Sequence, residues 1–297
     1  MKIFTRPTLL TTVAALVLMA AAVPRERDVI KKEFNVAPGG TLFLDLDYGR
    51  VEIESIEEDK VLITMERIAT AQDRSQAREM LNSSHRYEFE KRQDNSVHIE
   101  SRVDRGRRMN LRRQGSIKIR FTIRVPEEFN IDFKSGSGDM TIVDVSGDVR
   151  GHTGAGNILL EEVGGTAELT SGAGNVDVQG DDLERVHINT GAGNVTLRGI
   201  TGSVEANTGA GNMYVEIDDQ PVDDSRLRTG AGNLTVLLDE DVSLDFNGKA
   251  ALGNVTCEFP VEISKSLLSR SFSGSVNGGG VVLEMRAGVG NVILKRQ

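Results

Sequence analysis

Tryptophan is absent from this 297-residue chain, cysteine occurs once and aromatic residues make up 4% of the total. The only tyrosines are Tyr48, Tyr87 and Tyr214. Sugar-binding clefts usually need aromatic platforms, and this composition disfavours a glycan groove of that kind. The single cysteine, Cys257, excludes an intramolecular disulfide and leaves no lipid-acceptor cysteine near the N-terminus. Its place in an apolar alternation reads as a small buried hydrophobe. Excess positive charge is missing too: the formal net charge is −9, which argues against generic nucleic-acid affinity. His-Glu-x-x-His, Gly-x-Ser-x-Gly and Gly-x-x-x-x-Gly-Lys-Ser/Thr are not found, so no catalytic signature stands out. The four histidines, His85, His98, His152 and His187, lack metal-ligand spacing and read as solvated strand or loop residues.

Glycine is plentiful, and most of its 32 copies recur in register. Gly-Ala-Gly-Asn occurs five times, ending at Asn157, Asn175, Asn194, Asn212 and Asn233, with steps of 18, 19, 18 and 21 residues. Weaker copies end at Asp139, Asn254 and Asn291. The last two lie 37 residues apart, or two steps, and Gly274-Ser275-Val276 reads as the copy between them. Tyr48-Gly49-Arg50-Val51 reads as an isolated first copy.

From Asn175 to Asn194 the unit reads Val176-Asp177-Val178, a Gly180-Asp181-Asp182 turn, Val186-His187-Ile188 and the next corner. Alternation with period two, bounded by turn residues, predicts half-buried strands. Such a unit cannot bury its own apolar face, but stacked copies can. The expected fold is all-β: a parallel β-solenoid with two short strands per coil of about 18–21 residues over 131–297. Its inward set is Ile158/Leu160, Val176/Val178, Val195/Leu197, Met213/Val215, Leu234/Val236, Val255/Cys257 and Val292/Leu294, with Leu169, Ile188, Ala206, Leu227 and Met285 from the second strands. Glu168, His187, Glu205 and Arg226 point outward in one mixed column.

The corner residues Gly156, Asn157, Gly174, Asn175, Gly193, Asn194, Gly211, Asn212, Gly232, Asn233, Gly253, Asn254, Gly290 and Asn291 are assigned a structural role. Glycine permits positive φ and close approach, and stacked asparagines can form a hydrogen-bonded ladder. No catalytic, cofactor-binding or metal residue is assigned. Calcium in these corners is disfavoured because the recurrent residue is neutral. Acidic turns at Asp181/Asp182, Asp218/Asp219, Asp223/Asp224 and Asp239/Glu240/Asp241 read as solvated charges, with weak divalent-cation binding as the alternative.

Residues 1–22 have the pattern of a secretory signal: Lys2 and Arg6, an apolar stretch from Leu9, and Ala20-Ala21-Ala22 before cleavage. The alternative is an uncleaved membrane anchor. Residues 23–130 read as a β-rich cap over the solenoid end, with a short helix at about 70–82. The stretch 262–280 is expected to fold over the opposite end. Arg105, Arg107, Arg108, Arg112 and Arg113 reverse the chain's sign locally and suit an anionic membrane or envelope polymer, against the plain reading of a solvated hairpin loop.

The Gly-x-Gly-Asn-Val corners, the upstream Tyr-Gly-x-Val-x-Ile copy and the signal sequence together resemble the bacterial putative-adhesin, β-strand-repeat family of unknown function. The head domain of auto-transporter-like adhesins with a Gly-Ile-Asn signature is similar. The resemblance covers about residues 34–297 and implies a cell-envelope β-solenoid with no assigned catalytic residues. The expected function is thus a non-catalytic, exported, adhesin-like or scaffold rod presenting its outer faces to an envelope protein or polymer. The alternatives are an assembly or regulatory partner in an envelope-stress system and, less favoured, a polysaccharide-active β-helix enzyme.

Overall fold

The computed structural model describes residues 24–103, 115–266 and 269–297. Residues 1–22, read from the sequence as a secretory signal, and the arginines from Arg105 to Arg113 lie outside the described residues.

Two sheets face each other across one continuous core. The front sheet stacks, in order, β5 (His85–Lys91), β6 (Ser96–Val103), β2 (Thr41–Leu46), β8 (Asn130–Ser135) and β10 (Val149–Ala155). It continues through the second halves of β11 (Ile158–Ala173), β12 (Val176–Ala192) and β13 (Val195–Ala210). Then come β15 (Ser225–Ala231), β21 (Val281–Val289), β17 (Leu244–Leu252), β20 (Arg270–Val276) and β19 (Glu262–Lys265). The back sheet runs β1 (Arg25–Asn35), β4 (Lys60–Ala71), β7 (Gly115–Pro126), β3 (Arg50–Ile56) and β9 (Met140–Val145). It continues through the first halves of β11, β12 and β13 to β14 (Met213–Ile217), β16 (Leu234–Leu238), β22 (Val292–Arg296) and β18 (Val255–Cys257).

Within the solenoid, neighbouring coils pair in parallel; antiparallel strands finish the ends. The inward residues expected from the alternation are buried, and Ile158, Leu160, Val176, Val178, Leu169, Ile188 and Met285 are each no more than 1% exposed. Cys257 is only half-buried, because β18 is the last strand of the back sheet and pairs on one side only. Burial raises its thiol pKa.

Three sequence expectations are corrected. Tyr48-Gly49-Arg50-Val51 is not isolated, since β2 and β3 pair with β8 and β9 as the next coil of the same stack. The residues before 131 therefore contribute coils, through β2, β3, β6 and β7, as well as an end cover. Chain order also differs from stacking order: β21 and β22 insert between the β15/β16 coil and the β17/β18 coil. The copy ending at Asn291 thus precedes the one ending at Asn254. Gly274-Ser275-Val276 is not a corner but part of antiparallel β20. Gly274 is small because an added Cβ would lie 2.9 Å from the Phe246 ring. Phe246, Phe259 and Phe272 close that end of the core, with centroids 5.9 Å apart in each neighbouring pair.

The helix α1 (Arg74–Ser83) is capped by Asp73, whose side chain accepts the Gln76 N–H at 2.8 Å. It covers the first end with Ala77, Met80 and Leu81 against Ala69 and Ala71. The hairpin β20/β19, from the irregular 262–280 stretch, extends the front sheet beyond β17.

Glycine is obligatory at the corner. Gly174 has φ +140°, and an added Cβ would sit 2.1 Å from the Gly156 carbonyl oxygen of the coil before it. Gly174→Ala is therefore expected to cost about 3 kcal/mol or more, combining backbone strain with overpacking. Gly278→Ala, at φ +95° but with open space around it, should cost about 1 kcal/mol. Thermal unfolding followed by circular dichroism checks the difference; equal losses would contradict the stacking account.

Candidate functional site

The recurrent corner residues come together in one column. Each asparagine side-chain oxygen accepts the backbone N–H of the asparagine in the next coil. Asn175 donates to Asn157 Oδ1, Asn194 to Asn175, Asn212 to Asn194 and Asn233 to Asn212, all at 2.9 Å. Asn291 then donates to Asn233 at 3.0 Å and Asn254 to Asn291 at 2.9 Å. The ladder thus runs mainly from side-chain oxygen to backbone; the side-chain amides of Asn157 and Asn291 also donate to the Asp139 carboxylate and to Asn233 Oδ1.

Arginines finish both ends. Arg50 donates to Asp139 Oδ2 at 2.7 Å while Asp139 Oδ1 accepts the Asn157 N–H. These bonds, Arg50 first, hold the Asp139 carboxyl below its usual range. Arg270 donates to the Gly253 carbonyl at 2.9 Å and to Asn254 Oδ1. With its oxygens so engaged, the column offers a ligand little beyond its exposed edge.

Just inside the corner runs a buried hydroxyl column that the alternation did not single out: Ser135, Thr153, Ser171, Thr190, Thr208 and Thr229. Thr208 and Thr229 donate to the Gly193 and Gly211 carbonyls at 3.0 and 2.9 Å. The signal was present, since Ser or Thr precedes each of these corners.

The side chains of Asp181 and Asp182 lie outside those described; most of the other turn carboxylates are engaged. Asp224 accepts the Val282 N–H at 2.9 Å, Asp239 the Asp241 N–H at 2.8 Å and Asp218 the Gln297 amide at 2.8 Å. Asp223 faces Arg185 at 3.4 Å and Glu240 faces Arg296 at 3.5 Å. Among the described residues no three His, Cys, Asp or Glu side chains gather as a metal site.

The front face carries two outward lanes with different electrostatics. In the first, the expected column Glu168/His187/Glu205/Arg226 continues upstream to Arg150 and Asp132 and downstream to Glu284. Its signs mostly alternate, with Arg150–Glu168 at 3.7 Å, His187–Glu205 at 3.4 Å and Arg226–Glu284 at 3.8 Å. Exposed pairs of this kind each contribute little, about 0–1 kcal/mol. The second lane runs Lys134, His152, Thr170, Asn189, Asn207, Arg228, Arg286, Lys249 and Ser271 along the stack. These nine positions hold no carboxylate; beyond Lys134 the same lane continues upstream to Asp45 and Glu100.

The lanes meet at Glu284. Its side chain is 14% exposed and is clasped by Arg226, by Arg228 at 3.3 Å and by Arg286. Upstream, a surface depression of about 530 Å³ at Asp45, Asp47, Arg102, Lys134 and His152 is crossed by Arg102, which pairs with Asp45, with Glu100 at 3.0 Å and with Asp47 at 3.5 Å.

Beneath α1, Arg67 is buried, bonded to the Leu81 carbonyl at 2.8 Å and to Asp28, with its guanidinium 4.8 Å from the Tyr87 ring centre. His85 beside it, expected from the sequence to be solvated, is instead buried at the start of β5 and meets Ser101 Oγ at 2.6 Å. Burial first, and the Arg67 charge second, push the His85 pKa down from 6.5 to about 4.

The model of the Toastrack DUF4097 family matches residues 44–292, most of the chain. No curated protein matches the sequence. Among solved structures, a putative adhesin from Bacteroides fragilis is 12% identical, with 91% of this chain and 97% of that one covered and a TM-score of 0.46. A putative cell adhesion protein from Clostridium sporogenes is 12% identical over 92% and 100% of the two chains, with a TM-score of 0.27. A putative adhesin from Parabacteroides distasonis is 10% identical over 90% and 97%, with a TM-score of 0.24.

Two outcomes follow from this geometry. Asn194→Ala removes the acceptor for the Asn212 N–H and should lower stability by about 1 kcal/mol, whereas Asn194→Asp, which keeps an acceptor, should lose less. Denaturant midpoints compare them. The second concerns pH. The folded protein keeps His85 neutral down to about 4, while the unfolded chain takes up its proton near 6.5. The unfolded state binds more protons in that window, so stability is highest above it and falls as pH drops from 6.5 toward 4. His85→Asn should flatten that slope in melting temperatures taken across the window.

Proposed function

As the chain belongs to the Toastrack family, we propose that it is a non-catalytic, exported rod of the cell envelope. It presents its outer faces, adhesin-like or as a scaffold, to an envelope protein or polymer. The observation that carries this reading is the division of labour between corner and face. The corner column engages its polar groups within the stack, while the front sheet displays outward side chains in register from coil to coil. A lattice of parallel strands about 4.8 Å apart holds those side chains at fixed spacing, which suits recognition over an extended surface. Export rests on the sequence pattern of residues 1–22.

Fractionation of cells making the tagged chain tests this reading. The protein should appear in the envelope or outside the cell, with an N-terminus at Val23, and should cosediment with isolated envelopes. Recovery in the cytosol with Met1 retained and no sedimentation would contradict it.

A further inference from the structure

We propose that the carboxylate-free stretch of the second lane, from Lys134 to Ser271, is a docking track for a linear anionic polysaccharide lying along the rod axis. This rests on the reading of the protein as a partner-presenting rod and names the partner's chemistry.

The lane is an exception in an acidic protein. Its permanent cations are Lys134 near one end and Arg228, Arg286 and Lys249 on three successive coils toward the other. Arg228, Arg286 and Lys249 are all exposed. Like charges placed directly across neighbouring strands are unfavourable, and Thr170, Asn189 and Asn207 show that the fold accepts neutral residues in the same lane. Glu284, from the neighbouring lane, offsets only part of this charge. Its three arginine contacts also hold guanidinium groups in place before any ligand arrives. Planar guanidinium forks match carboxylate and phosphate groups in two-point contacts.

The shape of the track selects a thread over a plane. A flat anionic membrane laid on this sheet would also meet Glu168 and Glu205 in the neighbouring lane, both exposed, and would be repelled there. A single polymer strand following the second lane avoids them. On its other side the strand meets glycines, among them Gly154, Gly172, Gly191, Gly209 and Gly230, all exposed. Close stacking imposes that bare strip: a Cβ at Gly172 would lie 2.5 Å from the Gly154 carbonyl. The nine lane positions span roughly 38 Å at the parallel-strand spacing. Binding by charge and hydrogen bonds does not require the aromatic platforms that the chain lacks.

Affinity electrophoresis of the full chain in gels containing polygalacturonate, neutral dextran or no polymer tests the proposal, with sedimentation against anionic-lipid vesicles and a polyphosphate competitor alongside. Polygalacturonate should retard the protein, less so as salt rises, and dextran should not. Thr170→Glu with Lys249→Glu places two carboxylates in the lane without touching the Glu284 clasp, and should weaken binding by at least about tenfold. Arg150→Gln, in the alternating lane, should change it less than about twofold. Unchanged melting temperatures would assign the loss to the lane rather than to folding. Absence of retardation, retention of binding by the double variant, or preference for vesicles or polyphosphate over polygalacturonate would overturn the proposal. If envelope cosedimentation persists while polygalacturonate fails, the lane assignment falls and the rod reading stands.

Discussion

The stacking of backbone on backbone at the Gly-Ala-Gly-Asn corner is the constraint on which the rest of the structure depends. Each coil can sit on the next only where no Cβ intervenes, as the 2.1 Å approach at Gly174 makes plain. Once the corner is that tight, the asparagine oxygen of one coil reaches the amide of the next. Backbone bonds pass the other way, from Gly156 to the Ala173 carbonyl and from Ile158 to that of Asn175, both at 2.9 Å. Register on either side of the corner then follows without slippage, and the shifts between coils fall at the opposite turn. The inward apolar residues fall into columns, the outward ones into lanes, and every coil inherits the alignment of its neighbour.

Much of this was legible in the sequence. The steps between corner copies and the period-two flanks identify the coil and its inward residues, because both are local signals. Val176, Val178 and Ile188, for example, need only the alternation around one corner. The order of the last coils was not legible. The 37 residues between Asn254 and Asn291 equal two ordinary steps, yet the intervening chain forms an antiparallel hairpin and the later coil inserts before the earlier one. Which coil neighbours which is a long-range pairing, and the corner motif is the same whichever neighbour it meets. The ladder's arginine ends escaped notice for the same reason: Arg50 and Arg270 lie 89 and 16 residues from their ladder partners, Arg50 standing where the other copies have asparagine and Arg270 lying outside the repeat.

The surface shows where the repeat constrains and where it leaves freedom. Inward positions are apolar except for the hydroxyl column beside the corner, and the corner glycines admit no Cβ, but a lane can carry any polar residue. The first lane mostly alternates in sign, as neighbouring charges on parallel strands prefer. The second departs from that pattern from Lys134 to Ser271, beyond its upstream carboxylates at Asp45 and Glu100. The chemistry of the protein's outer face therefore lies in lanes that can be read only after the coils are in their stacking order. Arg228, Arg286 and Lys249 are neighbours in space, although Lys249 falls between the other two in the chain.

The central claim is that the corner column, exposed as it is, is a cooperative part of the stack. Amide hydrogen exchange at Asn175, Asn194 and Asn212 tests it most directly. Their N–H groups lie at an exposed edge, so only the side-chain oxygen of the preceding coil holds each of them back from solvent. The account predicts slow exchange, comparable with that of the buried strand amides of Val178 and Ile188. Exchange at the rate of an open loop would contradict it.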